Sequence, residues 1–187
     1  MTTMAKYYYS CVTTDMDGRA PGLKCISSLS ILNGQFEKWD ALPYDRAGGG
    51  CGGSMRSQPC GLVYSGEKNR EELVRTSIES GRITHNHATG YMGAFWSFDG
   101  WAGASGDDSV IIGYDALLGS NGDWEQLVHR GVLHGGDNDS TGCIAATWFG
   151  AFYGFPDKKY EKNWKNIEYY DRIAKVANEL YNLNQKL

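Results

Sequence analysis

From His134 to Thr141 the chain reads His-Gly-Gly-Asp-Asn-Asp-Ser-Thr, and this short stretch concentrates oxygen donors. The carboxylates of Asp137 and Asp139 and the hydroxyl of Ser140 offer hard ligands to a common point. Such a set suits Mg²⁺, which takes one or two carboxylates and keeps several waters. The same residues also suit a helix start, with Asp as N-cap and a spare acid beside it. Gly135 and Gly136 let the backbone turn sharply into the apolar run from Cys143 to Phe155.

Further along, the candidates for ligand contact sit on glycine-rich loops. Residues 43–54 include Gly48, Gly49, Gly50, Gly52 and Gly53, with Cys51 among them and Arg56 just beyond. Backbone N–H groups in such a loop can face an anion, although glycine runs also serve as tethers. His85 and His87 have the residue type of acid–base or ligand groups and equally that of loop histidines. Trp101 could stack on a base or simply pack, and Arg56 could pair with a carboxylate instead of a ligand. The small thiols of Cys51 and Cys60 read as inert hydrophobes.

These residues need helices to hold them. A helix is expected from Glu71, with Val74 and Ile78 on one face and Gly81 as its stop. Loops are expected over 13–24, 84–93 and 99–106. Asp107 and Asp108 stand where an N-cap belongs, ahead of Val110, Ile111, Tyr114, Leu117 and Leu118 at helical spacing. Asn121-Gly122 breaks that helix, and Asp123 caps the next. The helix after Ser140 is apolar almost all round, so it should be central. An amphipathic outer helix through Tyr170, Ile173, Ala177 and Leu180 closes the chain. Strand-like alternation is scarce, so the chain reads as mostly α.

Composition narrows the classes. At 187 residues, 41% apolar and 13% aromatic, the chain fits one domain with its own core. A net charge of −4 gives no basic field for nucleic acid. No apolar stretch approaches membrane-spanning length, and no secretory h-region is visible. The five cysteines form no C-x-x-C pair and are odd in number, which fits reduced thiols in the cytoplasm.

Taken in order, DMDGRAPG (15–22), GGGCGGSMR (48–56), SIESGRITHNHATGYMGA (77–94), GWAGASGDDSVIIGYDALL (100–118), HRGVLHGGDNDST (129–141) and WFGAFYGF (148–155) resemble the ADP-ribosylglycohydrolase family. Within it, they are most similar to the ADP-ribosylarginine hydrolases. The resemblance implies an all-α orthogonal helical bundle, partial here, as one domain over residues 1–187. It implies Mg²⁺-dependent cleavage of the N-glycosidic bond between ADP-ribose and arginine in mono-ADP-ribosylated protein. Asp137 and Asp139 would be catalytic and, with Ser140, would ligate metal in the 134–141 motif. ADP-ribose would lie along Gly22, Leu23, Lys24, Gly49, Gly50, Cys51, Gly52, Arg56, His85, Gly100, Trp101, Ser105 and Gly106. These residues belong to ligand loops 13–24, 43–56 and 84–108.

The chain also departs from the family. The paired-aspartate, T/S-D-D-T-type motif that supplies the other ligands of a two-Mg²⁺ site is absent. A long helical stretch is missing between Tyr91-Met92-Gly93-Ala94 and Trp96–Trp101. Asp15, Asp17, Asp107 and Asp108 are the candidates for replacement ligands, with Asp107 expected to compensate in part. The alternatives to an active hydrolase are a catalytically inactive ADP-ribose-binding module, a structural protein like the J1-type crystallins of jellyfish, and a fragment or misjoined gene.

Overall fold

A computed structural model describes residues 1–92 and 101–186. The fold is all-α. Its helices are α1 (Thr2–Thr13), α2 (Leu23–Leu32), α3 (Gly52–Val63), α4 (Arg70–Arg82), α5 (Ala88–Met92), α6 (Asp108–Ser120), α7 (Trp124–Gly131), α8 (Asn138–Tyr153), α9 (Lys162–Lys165) and α10 (Tyr170–Asn184). Among the described residues there is no strand; one isolated antiparallel bridge joins Gly50 to Ser105. No described helix is long and apolar enough to cross a membrane.

Two small cores flank the glycine loops. The first gathers Ala5 of α1, Leu29 and Leu32 of α2, Leu42 and Ile83, with Tyr8, Phe36 and Trp39 packed around them. The second gathers Ala116 of α6, Leu127 of α7, and Ala145 and Phe149 of α8. Glycines let these last helices approach closely. A methyl group on Gly113 would lie 2.8 Å from Ile144 Cγ2, and one on Gly131 would lie 3.1 Å from Ala145 Cβ. Packing of α3 against α4 and α8 bridges the two cores, and α10 lies against α3.

Several local expectations hold. Asn121 takes a left-handed φ of 48° and ends α6, and Gly122 follows at 82°. Asp123 caps α7 by accepting from Glu125 N at 2.8 Å and Gln126 N at 3.1 Å. The final helix is amphipathic and buries no residue fully.

Other expectations are corrected. Gly81 does not stop α4; it lies inside the helix, where a methyl group would sit 3.2 Å from Tyr91 Cα. The 84–93 loop holds α5, and the loop at 43–56 gives way to α3 at Gly52. Asp107 is the N-cap position of α6 but makes no side-chain cap. The far end of α8 is not central, because Phe152 stands exposed while Ile144 and Phe149 are buried. Residues 93–99, which include the expected internal shortcut, lie outside the described residues.

Since Asp123 satisfies two orphan N–H groups at the start of α7, its removal has a defined cost. Asp123→Ala should lower stability by about 1 kcal/mol in urea unfolding, and Asp123→Asn by much less.

Candidate active site

The expected ligand loops meet backbone to backbone. Methyl groups at Gly90 and Gly53 would lie 2.1 Å from Gly48 O and 2.3 Å from Gly90 O. One at Gly106 would lie 2.3 Å from Thr89 O, and one at Gly136 2.0 Å from Ala102 O. The glycine run is therefore a packed layer and not a tether. Hydrogen bonds stitch it: Cys51 N donates to Ala104 O at 3.2 Å and Gly106 N to Gly49 O at 2.9 Å. Ser54 Oγ donates to Gly106 O at 2.9 Å.

The 134–141 segment docks onto this layer. Asp137 N donates to Ala102 O at 2.8 Å, and Asp137 is the N-cap position of α8. Its side chain makes no cap hydrogen bond, and its carboxylate meets Cys51, Asp139 and Ser140 instead. His134 clamps the turn, a role the motif alone did not reveal. Its Nδ1 accepts from Gly136 N at 3.1 Å, so Nε2 carries the proton and donates to Thr141 Oγ1 at 2.7 Å. The Thr141 hydroxyl in turn donates to Gly131 O at 2.7 Å.

Asp137, Asp139, Ser140 and Cys51 form one cluster. Cys51 Sγ lies 3.1 Å from Ser140 Oγ and 3.5 Å from Asp137 Oδ2. Burial, and then the hydrogen bond to Asp139, raises Asp137 above the usual carboxylate range. The same hydrogen bond holds Asp139 below it. The two close carboxyls thus titrate as a coupled pair. That crowding is what a divalent cation relieves, so the donor set fits one Mg²⁺. Burial pushes the Cys51 thiol up to about 11, which makes it a hydrogen-bonding member of the cluster and not a thiolate.

A second metal finds no comparable set. Among the described residues no group of three or more His, Cys, Asp or Glu side chains is arranged to hold an ion, and the Asp137–Asp139–Cys51 cluster is no exception, so an ion there would rest on two carboxylates and the Ser140 hydroxyl. Asp107 is buried against the Ser105 hydroxyl, so the expected compensation by Asp107 is not met. Asp108 reaches back to accept from Gly103 N at 2.8 Å and Ser105 N at 2.9 Å. Asp15 is engaged through both oxygens by Arg172 at 3.1 and 3.2 Å, and that contact holds its carboxyl low. Asp17 joins no such group.

The remaining candidates fall in several settings. Gly22 precedes α2, Leu23 is 83% exposed, and Lys24 pairs with Asp45. Trp101 is 56% exposed beside the buried Ser105 and Gly106, free to stack. Gly100 lies outside the described residues. His85 lies in the loop between α4 and α5 but is buried, 3% exposed beneath Gly50 and Gly52, where a methyl on Gly52 would meet its Cε1 at 2.7 Å. Burial, then the charges of Arg56 and Lys24, push its imidazole down to about 3, so it stays neutral. Arg56 lies below the loop against Cys25 and Thr84.

With this geometry in place, comparison with known proteins decides the family. The ADP-ribosylglycohydrolase family model matches residues 2–98 and 95–187, nearly the whole chain in two stretches. The chain belongs to the ADP-ribosylglycohydrolase family. The two matches meet at 95–98, where the motif order leaves a gap. The chain is 31% identical to the ADP-ribosylhydrolase ARH1 of Dictyostelium discoideum over 96% of its length and 73% of that relative's. It is 28% identical, over 74% of its length, to the "Putative ADP-ribosyl glycohydrolase L444" of Acanthamoeba polyphaga mimivirus, and spans 44% of that protein. The first alignment runs over 291 positions, more than 187 residues can fill. Over a hundred of those positions thus have no counterpart here.

Adjacent glycines give a direct test of the docking. Nothing lies within 4 Å of a methyl on Gly135, whereas one on Gly136 collides with Ala102. Gly135→Ala should leave the melting temperature nearly unchanged, and Gly136→Ala should lower stability by about 3 kcal/mol. The raised Cys51 thiol carries its own readout. At pH 8 its alkylation, followed by peptide mass spectrometry, should run roughly a hundredfold slower than that of a free thiol of ordinary acidity.

Proposed function

We propose that this chain is a hydrolase of the ADP-ribosylarginine type, releasing ADP-ribose from modified arginine in protein. The observation that carries the reading is the cluster of Asp137, Asp139 and Ser140 docked against the packed glycine loops. Asp137, Asp139 and Ser140 would hold one Mg²⁺. When bound, that ion supplies positive charge that polarises a nearby oxygen and offsets charge in the transition state.

The chain's own residues carry the rest. A glycosidic carbon gains positive charge as its bond breaks, and the anionic Asp137–Asp139 pair supplies a favourable field there. Backbone N–H groups of the 49–52 turn and the amino ends of α3 and α8 favour a diphosphate. Trp101 offers an exposed face for the adenine. Lys24 adds a cation at the entrance, tethered by Asp45. Five free cysteines accord with work in a reducing compartment such as the cytoplasm.

A second reading is a catalytically inactive ADP-ribose-binding module. It is favoured by the want, among the described residues, of a third acid near Asp137 and Asp139.

The two readings separate on one assay. In millimolar Mg²⁺ the wild-type chain should release ADP-ribose from mono-ADP-ribosylated arginine, and EDTA or the double variant Asp137→Asn/Asp139→Asn should abolish release. Calorimetry should give a Mg²⁺ stoichiometry of one. Binding of ADP-ribose with no release selects the inactive module, and absence of both binding and release rejects the two together.

A further inference from the structure

Arg56 is a cation with no carboxylate contact among the described residues. Its guanidinium lies over the Tyr8 ring at 4.8 Å, donates through Nη1 to Cys25 Sγ at 3.1 Å, and donates through Nη2 to Thr84 Oγ1. Its Nε is buried without a partner. Two hydrogen bonds and a stack therefore fix the orientation of the fork.

Thr84 connects that fork to His85. The Thr84 side chain is 1% exposed, and its Oγ1 lies 2.8 Å from His85 Nδ1. Arginine only donates, so Oγ1 accepts from Arg56. The hydroxyl then has one proton to place in a closed site. Given to Nδ1, it is satisfied; were Nδ1 itself protonated, the Thr84 proton would be buried without an acceptor, at a real cost. No other described group accepts from Thr84 Oγ1.

We infer that Arg56 and Thr84 are positioning residues that lock His85 as its Nε2–H tautomer, with that N–H presented at the Gly50–Gly52 turn. The Nε2 edge faces this turn, 3.5 Å from where a methyl on Gly50 would stand and 3.1 Å from one on Gly52. No described protein group accepts from it. A neutral, pre-aimed donor suits an oxygen of a nucleotide-sugar ligand, a hydroxyl or a diphosphate oxygen. This step rests on the proposed ADP-ribose ligand, while the tautomer itself does not.

The experiment is long-range ¹H–¹⁵N correlation of ¹⁵N-histidine protein at pH 7, with His85 assigned by its loss in His85→Gln. Wild type and Thr84→Ser should show the neutral Nε2–H pattern. Thr84→Val should shift it toward a mixture and weaken ADP-ribose binding about tenfold, the effect of roughly one hydrogen bond. Binding in Thr84→Ser should stay within about twofold. An Nδ1–H pattern in wild type overturns the inference, as does an unaltered pattern in folded Thr84→Val. The wild-type spectrum decides the matter even if Thr84→Val fails to fold. Should wild type show Nε2–H yet bind no ADP-ribose, the positioning role stands and the ligand assignment falls.

Discussion

Backbone contact without intervening side chains is the constraint on which this molecule depends. The 48–53 turn, the start of α5, the 102–106 loop and the 135–137 turn each press a glycine against a neighbour's carbonyl. A Cβ at these positions would stand only 2.0–2.3 Å from a carbonyl oxygen and would force the strips apart. Because they meet, amides, hydroxyls and carboxylates from segments far apart in sequence share one surface. The two apolar cores stand on either side and fix that meeting. Neither contains the chemistry.

Some of this was legible in the residues. Asp123 announces its helix because a cap acts within one turn, and Asn121-Gly122 announces a stop because left-handed φ is local. The oxygen cluster at 137–140 is legible for the same reason. Other features depend on distant partners and leave no local mark. Gly81 reads as a helix stop, but Tyr91 makes it an approach point inside α4. Asp107 and Asp108 read as caps or spare ligands, yet their carboxylates serve the Ser105 loop. α1 went unread: it buries only Ala5, and its run of three tyrosines hides any apolar period. The burial of His85 beneath the turn likewise depends on tertiary packing, which its place in the 84–93 loop does not signal.

The acidic pair shows what two neighbouring carboxyls at a helix start do to one another. The carboxyls of Asp137 and Asp139 shift in opposite directions, Asp137 up and Asp139 down, because a helix start brings both to one side. The cysteine beside them adds a weak donor and no charge at neutral pH. Under the proposed reading, one ion would complete such a set. Of the other acids near the loops, Asp15 is held by Arg172, Asp45 by Lys24, and Asp107 and Asp108 by the Ser105 loop.

The same glycine contacts bear on how sequences of this kind change over generations. Any substitution at Gly48, Gly53, Gly90, Gly106 or Gly136 is opposed by the collapse of the loop layer itself, whether or not a reaction is being run. The two carboxylates, by contrast, sit half in solvent and can be exchanged with little harm to packing. In a lineage released from catalysis, the acids would drift first and the glycine signatures would persist. The glycine motifs therefore record ancestry and architecture, and the acids record chemistry.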